Sequence, residues 1–468
     1  MINFTHLYLG VFSFFTSVLS FLNILYCYYF KLYLNIDNFI FIFIVSLLFG
    51  SVVFFNKKNI KKISIFQKIL TVILGYLTIP VLLSIPYYLI INNISFIDSY
   101  FEAISGFTST GFTVFNNIKH LDESLILWRS STQWLGGLYF LISIILLIDI
   151  FDNNLKKSFT NFINFSSNES VKQCFKISVV YLILTILIFI ILYLSDLRAF
   201  DSFNLSLTLI SSGGFLPVNN LELVINTKLK EIILSLTMLF SFFSLFFSYN
   251  LIFFFHKRNI NFFSEDLYLG FYFIFLISFF FLFLNLDDNF SSLFLAISSS
   301  ISNIGFSTQI PKDLSFIFLI LIIIGGSFFS TSSGIRFFKL FLLFKFSINE
   351  LVSHSKPRSL FVSKLAFFGF NFSNEDFYKY FLSVIIFILS LSILSLLLTI
   401  SGIDSEDAFR LSVLTLMNTV NSFTSNLEAF TFYDLTVFSK LSFMIFMIIG
   451  RVELISILII SKKFFFKT

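Results

Sequence analysis

An all-α polytopic membrane protein is the fold class this sequence predicts. The 468-residue chain is 57% hydrophobic and 12% charged, and its apolar runs of about 20 residues match the roughly 30 Å of hydrocarbon in a bilayer. Those runs are apolar all round rather than on one stripe, as lipid-embedded helices are and surface helices are not. Between them, one short polar pattern returns four times.

The apolar runs predict ten membrane helices, at 7–30, 38–56, 67–92, 124–150, 173–195, 230–255, 267–286, 314–346, 378–400 and 433–461. The eighth is long enough to need a break, and "GGSFFSTSSG" (325–334) supplies one. Residues 1–64 then hold two extra N-terminal helices. Four helix–pore-loop–helix repeats follow, at 65–152, 153–258, 259–365 and 366–468. The start, "MINFTHLYLG", has no basic region and reads as a retained helix rather than a cleaved signal. Cys27 falls in the first apolar run and Cys174 in a polar loop, so no disulfide is expected.

Lysines and arginines place the chain in the membrane. Lys57, Lys58, Lys61, Lys62 and Lys68 share one side with Lys156, Lys157, Lys257 and Arg258. Lys356, Arg358, Lys364, Lys462, Lys463 and Lys467 fall there too. The positive-inside rule makes that side cytoplasmic, and an even number of spans puts both termini there. Asp98, Asp201, Asp287, Asp288, Asp404 and Asp407 fall on the other side. An acidic outer face concentrates cations at an entrance.

The repeated pattern reads "DSYFEAISGFTSTGFT" from Asp98, "DSFNLSLTLISSGGFLP" from Asp201, "SLFLAISSSISNIGFST" from Ser292 and "FRLSVLTLMNTVNSFTS" from Phe409. Aligned without gaps on the last Phe before the end, the four place Gly111, Gly214, Gly305 and Ser422 at one position. Each segment has about ten residues of helical character, too short to span, and then a polar tail. Non-helical backbone at membrane depth is tolerated only in protein or along a water-filled cavity. Four such tails about one axis would offer rings of carbonyl oxygens that replace a cation's hydration shell. Glycine accepts the backbone dihedrals this demands, and half-helix C-termini facing the axis favour a cation.

These segments resemble the pore loops of the Trk/Ktr/HKT superfamily of potassium transporters, a tetrameric potassium channel fused into one chain. "WRSSTQWLGGLYF" (128–140), "GGSFFSTSSGIRFFKLFLLF" (325–344) and "IIGRVELISILI" (448–459) are similar to further signatures of that superfamily. The resemblance covers about residues 65–461, and the two additional N-terminal helices resemble its TrkH branch. It implies potassium uptake with K⁺ as the transported ion and no covalently bound cofactor. It implies a filter of Ser109, Thr110, Gly111, Ser212, Gly213, Gly214, Asn303, Ile304 and Gly305. Thr419 and Val420 complete it, with either Asn421 or Ser422 at the fourth glycine position. It implies a gate of Gly325, Gly326, Ser327, Phe328, Phe329, Ser330, Thr331, Ser332, Ser333 and Gly334, held by Arg451. Its partners would be a second copy of the chain, a cytoplasmic nucleotide-binding regulatory protein of the TrkA kind, and membrane lipid, with no nucleic acid. Its place would be the bacterial inner membrane. The sequence departs from the family pattern at Phe328, Phe329 and Ser333, at Pro217, and in the missing fourth glycine.

Arg451 precedes Lys462 by eleven residues, roughly 16 Å along a helix. A charge so deep costs at least about 2.5–3.5 kcal/mol unless paired, so Arg451 is expected to face protein or pore, with Glu453 a weaker candidate partner. Arg336 and Lys339 are expected to face inward. His6, His120, His256 and His354 are scattered without metal-ligand spacing. A G-x-x-x-x-G-K-[ST] nucleotide loop is lacking. A secondary transporter of another solute, a sodium-permeable cation transporter and a membrane enzyme are the competing readings. The enzyme would need intramembrane His or paired carboxylates.

Overall fold

The computed structural model describes residues 2–55, 64–151, 170–253, 264–284, 290–308, 314–355, 366–367, 370–371, 374–452 and 456. It is that of a helical, multi-pass membrane protein. Among these residues seven helices are long and apolar enough to cross a membrane. They are Tyr8–Tyr29, Tyr33–Val53, Ile65–Ile90, Glu123–Leu147, Gln173–Leu194, Glu265–Leu282 and Phe377–Ile400, and they coincide with seven of the ten expected spans.

The first lies within α1 (Ile2–Tyr29), the second is the 3₁₀ turn Tyr33–Asn35 running into α2 (Ile36–Phe55), and α1 and α2 pack on each other. α1 also packs on α3 (Ile65–Ile90) and α5 (Glu123–Phe151). α3 begins with a reciprocal cap in which Ser64 accepts from the Gln67 amide and the Gln67 side chain accepts from the Ser64 amide. Tyr139 of α5 locks the group, because its ring meets Phe12 edge-on at 4.7 Å and Tyr76 at 4.7 Å, and its hydroxyl donates to the Val72 carbonyl at 2.8 Å. Gly75 makes that fit possible, since a Cβ there would lie 1.8 Å from the hydroxyl oxygen.

Between longer helices lie four short ones: α4 (Phe96–Phe107), α7 (Ala199–Ile210) after α6 (Ser170–Leu194), α11 (Phe290–Ile301) and α15 (Ser405–Leu416). Each has 12 residues, about 18 Å at 1.5 Å per residue and well short of a bilayer core. Asp98, Asp201 and the Glu406–Asp407 pair sit in the first turn of three of them, where the helix dipole favours an acid. Cys174 corrects the reading that set it in a polar loop: it lies within α6, half-buried and free.

The other three expected spans are interrupted or partly described. The run 230–255 is two helices, α8 (Lys228–Phe242) and α9 (Leu245–Phe253). This corrects the expectation of one continuous helix, and no glycine or proline marks the break. The freed backbone finds tertiary partners instead. The Phe242 carbonyl accepts from Ser327 N–H at 3.0 Å, Ser241 accepts from Ser332 N–H at 3.1 Å, and Leu245 N–H donates to Phe329 at 3.0 Å. Asp266, near the start of α10 (Ser264–Leu284), accepts from both the amide and the hydroxyl of Ser244 at 2.8 Å. Such a break survives at membrane depth only because protein groups replace the lost helical bonds.

The run 314–346 breaks where its glycines lie. α12 (Ser315–Ile323) ends in strand β1 (Ile324–Gly325), which pairs in parallel with β2 (Ile335–Arg336) before α13 (Phe337–Ser355). Residues 326–334 are thus pinched into a closed loop. α14 (Asn374–Ile400) precedes α15, and α16 (Val437–Arg451) closes the described core.

Candidate ion pathway

The four short helices end alike. After each comes one residue in the left-handed region: Ser109, Ser212, Asn303 and Asn418, with φ of 55°, 55°, 57° and 47°. The next amide then returns to the carbonyl five residues back, Thr110 to Ser105 (2.9 Å), Gly213 to Thr208 (2.8 Å), Ile304 to Ser299 (3.1 Å) and Thr419 to Leu414 (2.9 Å). Left-handed residues with such bonds are the ordinary way a helix stops, and here they fix a common register. That register puts Gly111, Gly214, Gly305 and Val420 at equivalent positions.

The ungapped alignment, which set Ser422 there, and the family resemblance, which offered Asn421, are therefore both corrected. The alignment assumed tails of equal length, but Phe112, Phe215 and Phe306 each follow the left-handed residue by three positions and Phe423 follows by five. Asn421 and Ser422 lie past the ring. Asn421 donates its side-chain amide to the Leu427 carbonyl at 2.8 Å, and Ser422 is extended at φ −161° and caps the turn Phe423–Ser425.

At the ring the backbones nearly touch. A Cβ added to Gly111 would lie 2.6 Å from Gly214 Cα, and one on Gly214 2.4 Å from Val420 Cβ. One on Gly305 would meet the Val420 carbonyl oxygen at 2.6 Å. Gly111 and Gly305 hold φ of 86° and 90°, which side chains rarely adopt. Cross-links tie the segments together: Asn418 donates to Thr110 Oγ1 at 3.0 Å and to the Met447 carbonyl at 2.9 Å, and the Ser212 hydroxyl donates to the Ser302 carbonyl. Behind the first segment, buried Glu102 accepts from Arg129 Nε at 2.9 Å and from Val114 N–H at 3.0 Å. The Arg129 guanidinium lies 4.1 Å from the centre of the Phe215 ring, so one cation braces the first and second tails. A cavity of ≈ 320 Å³ borders all four ring residues and reaches Glu222 and Glu428.

The pinched loop touches residues that precede the ring, and so faces its other side. Thr331 donates to the Ile210 carbonyl at the end of α7 at 2.7 Å, and Ser333 donates to Asn418 Oδ1 at 3.2 Å. Arg451 donates through Nε to the Thr108 carbonyl and through Nη1 to the Thr331 carbonyl at 2.8 Å. It is buried, as its depth in the helix requires, and it faces protein. Arg336 Nη1 donates to the carbonyls of Ser327 at 2.9 Å and Ser332 at 3.0 Å, and Glu265 accepts from Phe328 N–H at 3.0 Å. Phe329 stacks on Phe246 of α9 at 5.3 Å, so the bulky residues that depart from the family pattern anchor the loop in protein. Its serines and threonine are buried, and the loop is held from α8, α9, α10, β2, α13 and α16.

Every expected filter and loop residue falls at one of these two places, except Asn421 and Ser422. Arg336 and Lys339 are buried, and Arg336, like Arg451, donates to carbonyls of the loop. The sequence reading missed Asn418, Arg336 as a loop ligand, and the adjacent acids Glu265 and Asp266. Arginine two residues past a glycine-bounded break, and two acids opening an apolar helix, were the available signals. Glu453 lies outside the described residues.

No protein-family model matches the chain. An uncharacterized cation transporter of Methanocaldococcus jannaschii is 26% identical, over 94% of this chain and 91% of that protein. The Trk system potassium uptake proteins TrkG and TrkH of Escherichia coli are 24% and 22% identical, over 80% and 91% of this chain and the same shares of theirs. The crystal structure of the potassium transporter TrkH from Vibrio parahaemolyticus superposes with a TM-score of 0.84 at 21% identity, covering 98% of each chain. In sequence along nine-tenths of its length, and in fold along nearly all of it, the chain is Trk-like and resembles the TrkH branch.

Proposed function

We propose that the chain is a potassium uptake subunit of the bacterial cytoplasmic membrane, with both termini inside, conducting through the ring at Gly111, Gly214, Gly305 and Val420. The common stop of the four half-helices carries this reading, because it aims four helix C-termini and four extended tails at one spot. Carbonyls there replace the water around a monovalent cation, and the negative helix ends favour it. Similarity to potassium uptake proteins supports the choice of ion. The loop 326–334 is the gate: it lies against the helix ends that an ion leaving the ring must pass. A second copy of the chain and a cytoplasmic nucleotide-binding protein of the TrkA kind complete the system, as the TrkH branch implies, and the regulator acts by moving the loop. The four repeats then surround one pore with pseudo-fourfold symmetry.

Flux of ⁸⁶Rb⁺ into liposomes holding the purified chain tests it. Uptake that competes with K⁺ more strongly than with Na⁺ is expected. Protein that is folded and inserted but passes no monovalent cation would overturn the reading.

A further inference from the structure

The register of the fourth segment puts a branched apolar side chain where its three counterparts have none. Val420 follows the left-handed Asn418 by two residues, as Gly111, Gly214 and Gly305 follow theirs. Val420, like Gly214, lacks the positive φ of Gly111 and Gly305, so the peptides at these two positions are turned differently from those at the other two. Its isopropyl group sits against Gly214, where an added Cβ would be 2.4 Å from Val420 Cβ and 2.9 Å from Cγ1. It also crowds Gly305, whose added Cβ would be 2.8 Å from the same Cγ1. Two of the three glycines thus make room for one valine, and the valine stands in the space they leave.

We infer that Val420 sets the size limit of the ring. This rests on the conducting role proposed above and deepens it: the limit comes from one side chain rather than from a symmetric set of carbonyls. An apolar wall on one side offers an ion no oxygen, so selection depends on the ion's fit against the remaining carbonyls and on ring width. Its methyls are stiff, because a β-branched residue has few rotamers. A stiff wall makes a sharp cut-off between small and large cations. Asn421 and Ser422, already past the ring and engaged in their own turn, take no part in the cut-off.

Flux of K⁺, Rb⁺ and Cs⁺ through full-length protein in liposomes tests this across Val420→Gly, Val420→Ala and Val420→Ile. The Cs⁺/K⁺ flux ratio should rise several-fold from valine to alanine to glycine, and fall for isoleucine, in order of side-chain volume. Asn421→Gly and Ser422→Gly should leave it unchanged. A ratio that stays flat along the Val420 series, in protein that still conducts K⁺ and elutes as wild type, overturns the inference while leaving the conducting role intact. A ratio that moves with Ser422→Gly or Asn421→Gly and not with Val420 overturns it equally. Wild-type protein that conducts none of the three ions sinks the conducting role instead.

Discussion

Gly305→Val should reduce cation uptake to background while the protein still inserts and purifies. Two causes act together. The native φ of 90° is a genuine outlier for a β-branched residue, with strain of roughly 1–3 kcal/mol. The new Cβ would also fall 2.6 Å from the Val420 carbonyl oxygen, a distance that only backbone movement can relieve. Since that backbone is the ring, the relief itself destroys the site. Gly402→Val separates the two causes. Gly402 has a comparable φ of 94° but nothing within 4 Å of an added Cβ, and it lies in the turn between α14 and α15. It should lose some stability and keep its flux. Gly305→Val with wild-type ⁸⁶Rb⁺ uptake at equal membrane expression would mean that the ring is not the pathway.

The second large effect is expected at the loop. Arg451→Ala removes the donor that joins the Thr331 carbonyl to the Thr108 carbonyl, and Arg336→Ala removes the one that gathers the carbonyls of Ser327 and Ser332. Charge-assisted hydrogen bonds are worth about 1.5–3 kcal/mol each, and each 1.4 kcal/mol is about a tenfold change in an equilibrium. If the loop alternates between an obstructing and a withdrawn position, each substitution should raise flux by about tenfold or more. The double substitution should exceed either one and weaken any response to a cytoplasmic regulator. Arg451→Lys keeps the charge but not the fork of donors, and should fall between. Wild-type flux in both alanine variants would reduce the loop to a structural kink.

Much of this was legible in the sequence because it is written in local terms. Glycine, serine and asparagine after ten helical residues mark a helix stop, and the stops fall where those residues do. The break at 325–334 is announced by two glycines at one end and one at the other. Arg451 was legible from energy alone, since a cation at that depth needs partners. The parts that were not legible depend on distant partners. "LFSFFSLFF" around Phe242–Ser244 has helical character throughout, and it breaks only because the loop and Asp266 take its backbone bonds. The fourth register was misread for a related reason. Phenylalanine is so frequent in this chain that Phe423 offered a false anchor, while the true anchor, Asn418, is set by a left-handed φ that asparagine only favours and does not announce. Glu265 reaches the loop across 63 residues, a separation at which a single sequence has no periodicity to show.

The central claim is that monovalent cations pass between Gly111, Gly214, Gly305 and Val420. The most direct measurement is a crystal structure of the protein grown in rubidium or thallium salt, with anomalous scattering locating the ion. The account predicts an anomalous peak on the axis between these four residues, within coordination distance of tail carbonyls and on the far side of the ring from the Thr331–Arg451 contact. A peak confined to another part of the molecule, with the ring clear, would contradict it.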